Sequence, residues 1–259
     1  MNKISIKKIL KKKNKVPIVC LSTYSAAIAK TIDKYCDIIL VGDSLGMVLY
    51  GMKSTREVKL ETMIAHGKAV KNSTKNSLVV IDMPYRTYPN QSIALKNAKR
   101  IIKLTKCDGI KLEGGKKVTN IIKHLTRNNI PVMGHVGLLP QTALKFKVRG
   151  KKPLERKKIL EDAVAVANSG VFATIIECVI EELAKNITKK IKIPTIGIGA
   201  SKHCDGQILV VDDMLGISNF SPKFVKKYSN INKIIKKSVM SYANEVKLRK
   251  FPTLKNVYK

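Results

Sequence analysis

Eight short apolar runs, separated by stretches with helical spacing, constrain this chain more than any other feature. They occupy residues 18–21, 38–42, 78–82, 109–113, 131–135, 173–177, 195–198 and 207–211. Runs this short and this rich in Ile, Val and Leu read as strands buried on both faces, as in a parallel sheet. The stretches between them carry apolar stripes at helical spacing. Met63, Ile64, Ala65, Ala69 and Val70 form one; Ile159, Leu160, Ala163, Val164 and Ala167 form another. Alternating strands and helices imply parallel strands joined by right-handed crossovers. Eight repeats within 259 residues favour a closed (β/α)8 TIM barrel over an open sheet. The gap between residues 198 and 207 is too short for a full helix, so the seventh crossover is expected to be a loop or a single turn. Residues 1–15 read as a short N-terminal arm, 222–247 as C-terminal helices and the remainder as a tail. No linker or low-complexity segment divides the chain, so one domain spanning 1–259 is expected.

Charge raises a competing possibility. The chain has 50 Lys+Arg against 18 Asp+Glu, a net charge of +32. Such a balance can mark a nucleic-acid-binding protein. Here the lysines are dispersed, loops included, and no basic run is interleaved with stacking aromatics. That pattern is a solvated lysine-rich surface, and no specific nucleic-acid partner is expected. No apolar run approaches the ~20 residues of a membrane helix. Lys11-Lys12-Lys13 ahead of Val16-Pro17-Ile18 imitates an export signal, but Ser22-Thr23-Tyr24-Ser25 interrupts the apolar core. The five cysteines show no Cys-x-x-Cys spacing and mostly adjoin apolar runs, as reduced, buried thiols do. A cytoplasmic location is expected.

Four acids stand where apolar runs stop: Asp43, Asp82, Glu113 and Glu177. Parallel α/β folds build their sites at the carboxyl ends of strands, so these acids are candidate site residues. Asp43, Asp82 and Glu113 offer oxygen donors that suit Mg²⁺ better than Zn²⁺. A 2-oxo acid could chelate such an ion, which would then stabilise an enolate, leaving Glu177 as the base. Ser44, in Gly42-Asp43-Ser44-Leu45-Gly46, could hold a substrate carboxylate. Lys111 and Glu113 alternate onto the same side of their strand, so a lysine should face into the barrel beside a carboxylate. His135 ends the fifth run at the same expected rim.

These motifs, in this order, resemble the ketopantoate hydroxymethyltransferase family. The matching text includes Leu40-Val41-Gly42-Asp43-Ser44-Leu45-Gly46-Met47, Lys111-Leu112-Glu113-Gly114-Gly115 and Gly134-His135-Val136-Gly137-Leu138. It continues through Pro140-Gln141, Glu177-Cys178, Pro194-Thr195-Ile196-Gly197-Ile198-Gly199-Ala200 and Asp205-Gly206-Gln207-Ile208-Leu209-Val210. The likeness spans residues 16–228. It implies transfer of a hydroxymethyl group from 5,10-methylenetetrahydrofolate to 3-methyl-2-oxobutanoate, giving 2-dehydropantoate for pantothenate synthesis. By the same resemblance Asp43, Asp82 and Glu113 match the Mg²⁺ site. Asp43, Ser44, Asp82 and Lys111 match the oxo-acid site, His135 a neighbouring active-site residue and Glu177 the proton acceptor. The family forms large homo-oligomers, often decamers. Two departures stand out: a shorter loop through Thr142–Val148 where the family usually has a longer glycine-containing one, and Asp212-Asp213 where many members have His-Asp. A Mg²⁺-dependent lyase or mutase of the phosphoenolpyruvate-mutase type is the nearest rival chemistry.

Overall fold

The computed structural model describes residues 3–218 and 222–258; the outermost residues of the expected arm and tail lie outside that range. The eight runs form eight strands: β1 (Ile18–Ser22), β2 (Ile38–Val41), β3 (Leu78–Asp82), β4 (Gly109–Lys111), β5 (Val132–Gly137), β6 (Ala173–Glu177), β7 (Thr195–Ile198) and β8 (Gly206–Val210). Each pairs in parallel with its neighbours in chain order, and β8 pairs with β1 to close the barrel. The helices are α1 (Ile6–Lys11), α2 (Ala26–Ile32), α3 (Leu45–Leu49), α4 (Leu60–Asn72), α5 (Gln91–Thr105), α6 (Thr119–Arg127), α7 (Pro153–Ala167), α8 (Glu181–Lys190), α9 (Val211–Met214) and α10 (Ile231–Lys247). As expected, no helix intervenes between β7 and β8.

Side-chain alternation splits the apolar residues into two cores. Ile18, Cys20, Ile38, Leu40, Val80 and Ile175 pack inside the barrel. Their neighbours Ile39, Val41, Val79, Ile81 and Ile176 face outward into the layer shared with the helices. The helix stripes fill that layer with small changes of phase. On α4, Met63, Ile64 and Val70 are buried while Ala65 is exposed. On α7, Ile159 and Ala163 are buried together with Val166, and Leu160, Val164 and Ala167 pack at the margin.

The N-terminal arm closes one end of the barrel. Ile9 of α1 is fully buried against the interior core, a contribution of about 1.5–3 kcal/mol for a residue of that size. Polar contacts fasten the arm to the segments that lead into the strands. Lys3 binds Asp108 ahead of β4, Lys12 binds Asp37 ahead of β2, and Lys13 binds Asp205 ahead of β8, at 2.6–2.8 Å. The amide of Ile4 donates to Asn76 O ahead of β3. With the amino ends of the strands covered, the carboxyl ends are left to bear a site.

The chain divides into two compact units, Met1–Val210 and Val211–Lys259. The first is the barrel with its crossovers. In the second, α10 runs without a buried residue, and the Ser218 hydroxyl meets Asp213 at 2.6 Å. All five cysteines are free thiols; four are buried and Cys178 is partly exposed.

Candidate active site

The carboxyl ends of β2 to β6 bring the sequence-marked residues together. Asp82 and Lys111 are direct partners across the β3–β4 pairing, and Lys111 Nζ sits 2.7 Å from Asp82 Oδ1 with both side chains almost wholly buried. Lys111 thus pairs with the neighbouring strand's acid, although Glu113 was the carboxylate its own strand suggested. Burial works against a charged lysine, but Asp82, Glu113 and Asp43 together outweigh it and hold Lys111 above the usual lysine range. Burial raises the Asp82 carboxyl, with the Lys111 ammonium pulling the other way.

Asp43 follows β2 on Gly42. A Cβ at Gly42 would stand 3.0 Å from Ser44 Oγ and 3.1 Å from Ser22 Oγ, so glycine is what allows these hydroxyls to approach the strand end. The Asp43 amide donates to Asp82 Oδ2 at 3.1 Å, and Gln141 Nε2 donates to Asp43 Oδ2 at 2.7 Å. Burial, then repulsion from Asp82 and Glu113, pushes the Asp43 carboxyl well above the usual range. Ser44 stands at the N-cap of α3 without capping it; its hydroxyl instead meets Tyr24 Oη at 2.8 Å.

Glu113 lies two residues beyond β4, which ends at Lys111 and not at residue 113 as the apolar run suggested. The Gln141 amide donates to its Oε2 at 3.1 Å. Burial pushes Glu113 up, yet His135, Lys111 and that amide outweigh it and keep the carboxyl below its usual range. His135 is buried between two acids. Its Nδ1 is 3.4 Å from Glu113 Oε1 and its Nε2 is 3.3 Å from Glu177 Oε2, ion-pair range in both cases, with neither contact reaching hydrogen-bond geometry. Burial opposes its charge, but Glu113 and Glu177 raise the imidazole to about 9. Glu177 closes β6 with its side chain 17% exposed, the most accessible of the four acids. The next residue, Cys178, turns the chain through the left-handed region at φ 49°, where its amide donates to Ile198 O and its carbonyl accepts from Arg149 N.

Two contributors carried no site assignment in the sequence. Gln141 stood only inside a matching motif, and no periodicity marks a loop residue. Ser22 was detectable, since it follows Ile18 and Cys20 on the inward side of β1. Its hydroxyl is buried beside Gly42 and has no hydrogen-bond partner among the described residues. Among the described residues, no three His, Cys, Asp or Glu side chains are grouped tightly enough to enclose a metal ion by themselves. The donor set nevertheless suits a hard cation. It is all oxygen, Asp43 is repelled by two neighbouring carboxylates, and the Ser22 hydroxyl, without a partner among the described residues, lies beside Gly42.

A closed barrel with buried acids and a lysine at the carboxyl ends of its strands defines a (β/α)8 enzyme. The fold is shared with a solved phosphonopyruvate hydrolase, at a TM-score of 0.65 and 11% identity over 97% of this chain and 92% of that one. Sequence resolves the family. The family profile described as ketopantoate hydroxymethyltransferase matches residues 3–254. The 3-methyl-2-oxobutanoate hydroxymethyltransferase of Pelagibacter ubique (strain HTCC1062) is 55% identical over 258 residues, covering 100% of both chains. The protein of the same name from Rhizobium etli (strain ATCC 51251 / DSM 11541 / JCM 21823 / NBRC 15573 / CFN 42) is 49% identical, covering 94% of this chain and 91% of its own. The chain belongs to the ketopantoate hydroxymethyltransferase family of transferases.

Proposed function

We propose that the protein transfers a one-carbon unit from 5,10-methylenetetrahydrofolate to 3-methyl-2-oxobutanoate, giving 2-dehydropantoate, the first step toward pantothenate. The observation that carries the reading is the division of labour among the acids. Asp43, Asp82 and Glu113 come from adjacent strand ends around Lys111, while Glu177 stands apart beyond His135. Asp43, Asp82 and Glu113 would hold Mg²⁺, directly or through water. When bound, Mg²⁺ supplies Lewis-acid stabilisation of negative charge on the keto oxygen.

The remaining chemistry belongs to the chain's own side chains. Lys111 and the Ser44 hydroxyl orient the substrate carboxylate, with Asp43 and Asp82 lining the same oxo-acid site. Glu177 takes the proton from C3, C3 then bonds the donor's methylene carbon, and both C–N bonds of that carbon break, their electron pairs and protons going to the nitrogens of the released tetrahydrofolate. One water is consumed overall, its oxygen becoming the new hydroxyl. His135, charged between two carboxylates, holds Glu177 at a fixed distance from the Glu113 side of the site. A lyase or mutase would need no folate, so dependence on the folate separates the readings.

The exposed apolar face of α10, with Ile235, Val239, Tyr242 and Val246 each more than 40% accessible, supports assembly into a homo-oligomer, a decamer by family resemblance. Among the described residues no helix is long and apolar enough to cross a membrane, and the setting we propose is the cytoplasm.

Exchange at C3 in D₂O, with Mg²⁺ and oxo acid but no folate, tests the proton transfer. Native protein should exchange and Glu177→Gln should not, while still binding the oxo acid. Undiminished exchange by Glu177→Gln would remove Glu177 as the base.

A further inference from the structure

One residue of the loop after β5 is tied to the ends of three other strands. Gln141 is 1% exposed. Its side-chain Nε2 donates to Asp43 Oδ2 beyond β2 at 2.7 Å and to Met83 O beyond β3 at 2.9 Å. Its backbone amide donates to Glu113 Oε2 beyond β4 at 3.1 Å. Its carbonyl accepts from Arg56 Nε at 2.9 Å, and its Oε1 accepts from the Tyr88 hydroxyl. Both N–H groups of the amide therefore have acceptors, and its oxygen has a donor. A flipped amide would place Oε1 against a carboxylate and a carbonyl, and would turn NH₂ toward the Tyr88 hydroxyl. The orientation is thus set by its partners.

We propose that Gln141 is the positioning residue of the cation site, resting on the reading that Asp43 and Glu113 hold Mg²⁺. A carboxylate bound through one oxygen is aimed by what holds the other. On Asp43, Gln141 occupies Oδ2, and Oδ1 has no partner among the described residues. On Glu113, Gln141 occupies Oε2 and leaves Oε1 on the His135 side. Through side chain and main chain, one residue thus fixes the presentation of two acids from different strands. Groups of this kind, outside the ligand set, govern metal affinity because a freely turning carboxylate must be ordered on binding. The hydrogen bonds of Gln141 go to Asp43, Met83, Glu113, Arg56 and Tyr88 and not to Glu177, so its effect should fall on metal binding and leave the proton transfer intact once the metal is saturating.

The test is Mn²⁺ binding by electron paramagnetic resonance, with Mg²⁺ competition, on the full-length protein. The variants are Gln141→Met, which keeps the bulk and loses the amide, and Gln141→Asn, which keeps an amide too short to reach Asp43. Circular dichroism establishes folding, and Gln141→Asn alone carries the test if Gln141→Met does not fold. We expect Mn²⁺ affinity to fall about 10- to 100-fold in each folded variant. At saturating Mg²⁺, kcat should return close to native, a recovery that a general loss of structure would not give. Native protein that binds Mn²⁺ beside folded variants with unchanged affinity would overturn the role of Gln141 alone. Native protein that binds no Mn²⁺ or Mg²⁺ would overturn the metal reading and this inference with it.

Discussion

Replacing Lys111 by Met removes the only basic side chain paired with Asp82 among the described residues. The two charges are 2.7 Å apart and both side chains are nearly fully buried. At an effective dielectric of about 20, charges at 2.7 Å attract by about 6 kcal/mol. Relief of the lysine's desolvation returns part of this, so the net loss expected is about 3–5 kcal/mol, as for other broken buried pairs. Burial already raises the Asp82 carboxyl, and without Lys111 it rises further. A carboxyl raised in the folded state takes up a proton that the unfolded chain does not hold. The deficit should therefore be full above the raised folded pKa, shrink as pH falls, and vanish near the unfolded value of about 3.9. Urea unfolding of native, Lys111→Met, Asp82→Asn and the double variant, from pH 8 to pH 5, completes a double-mutant cycle. The double variant should lie within about 1–2 kcal/mol of native, since both charges are gone. If Lys111→Met is as stable as native at pH 8, or the double variant no better than the single, the pair does not govern this part of the barrel.

Other consequences are equally concrete. Asp33 accepts from the amides of Lys75, Asn76 and Ser77, which outweigh burial and hold its carboxyl below the usual range. Asp33→Asn should cost about 1–3 kcal/mol at pH 7. Because the folded carboxyl is depressed, that difference should be lost as pH falls below the unfolded value toward the folded one, measured by urea titration. Gly137 lies at φ 95°, and a Cβ there would stand 2.4 Å from Glu177 O. Gly137→Ala should destabilise by about 1–3 kcal/mol or more and slow C3 exchange by displacing Glu177, read by melting and by deuterium uptake. Mg²⁺ at 100 times its Kd should stabilise the chelator-stripped protein by about 2.7 kcal/mol, and an unchanged melting curve would argue against a native-state site.

Much of the architecture was legible because strands buried on both faces must be apolar throughout. Runs such as Leu78–Asp82 and Ala173–Glu177 therefore stand out with correct ends. The end of β4 was less clear, since Leu112 remains buried beyond the last paired residue and continues the apolar pattern. Alternation placed Lys111 inside, but its partner depends on interstrand register, which opposes Asp82 to Lys111 and has no signature within either strand. Gln141 depends on the path of a loop, where no period constrains direction. Ser22 was accessible to the same alternation that located Ile18 and Cys20, and was obscured by the polar Ser-Thr-Tyr-Ser segment it begins.

The central claim is tested most directly by product formation. Chelator-treated protein is incubated with 3-methyl-2-oxobutanoate, with and without Mg²⁺ and 5,10-methylenetetrahydrofolate, and 2-dehydropantoate is measured. The account predicts product only when both are present, and none from Glu177→Gln. Turnover of the oxo acid without the folate, or full activity in Glu177→Gln, would contradict it.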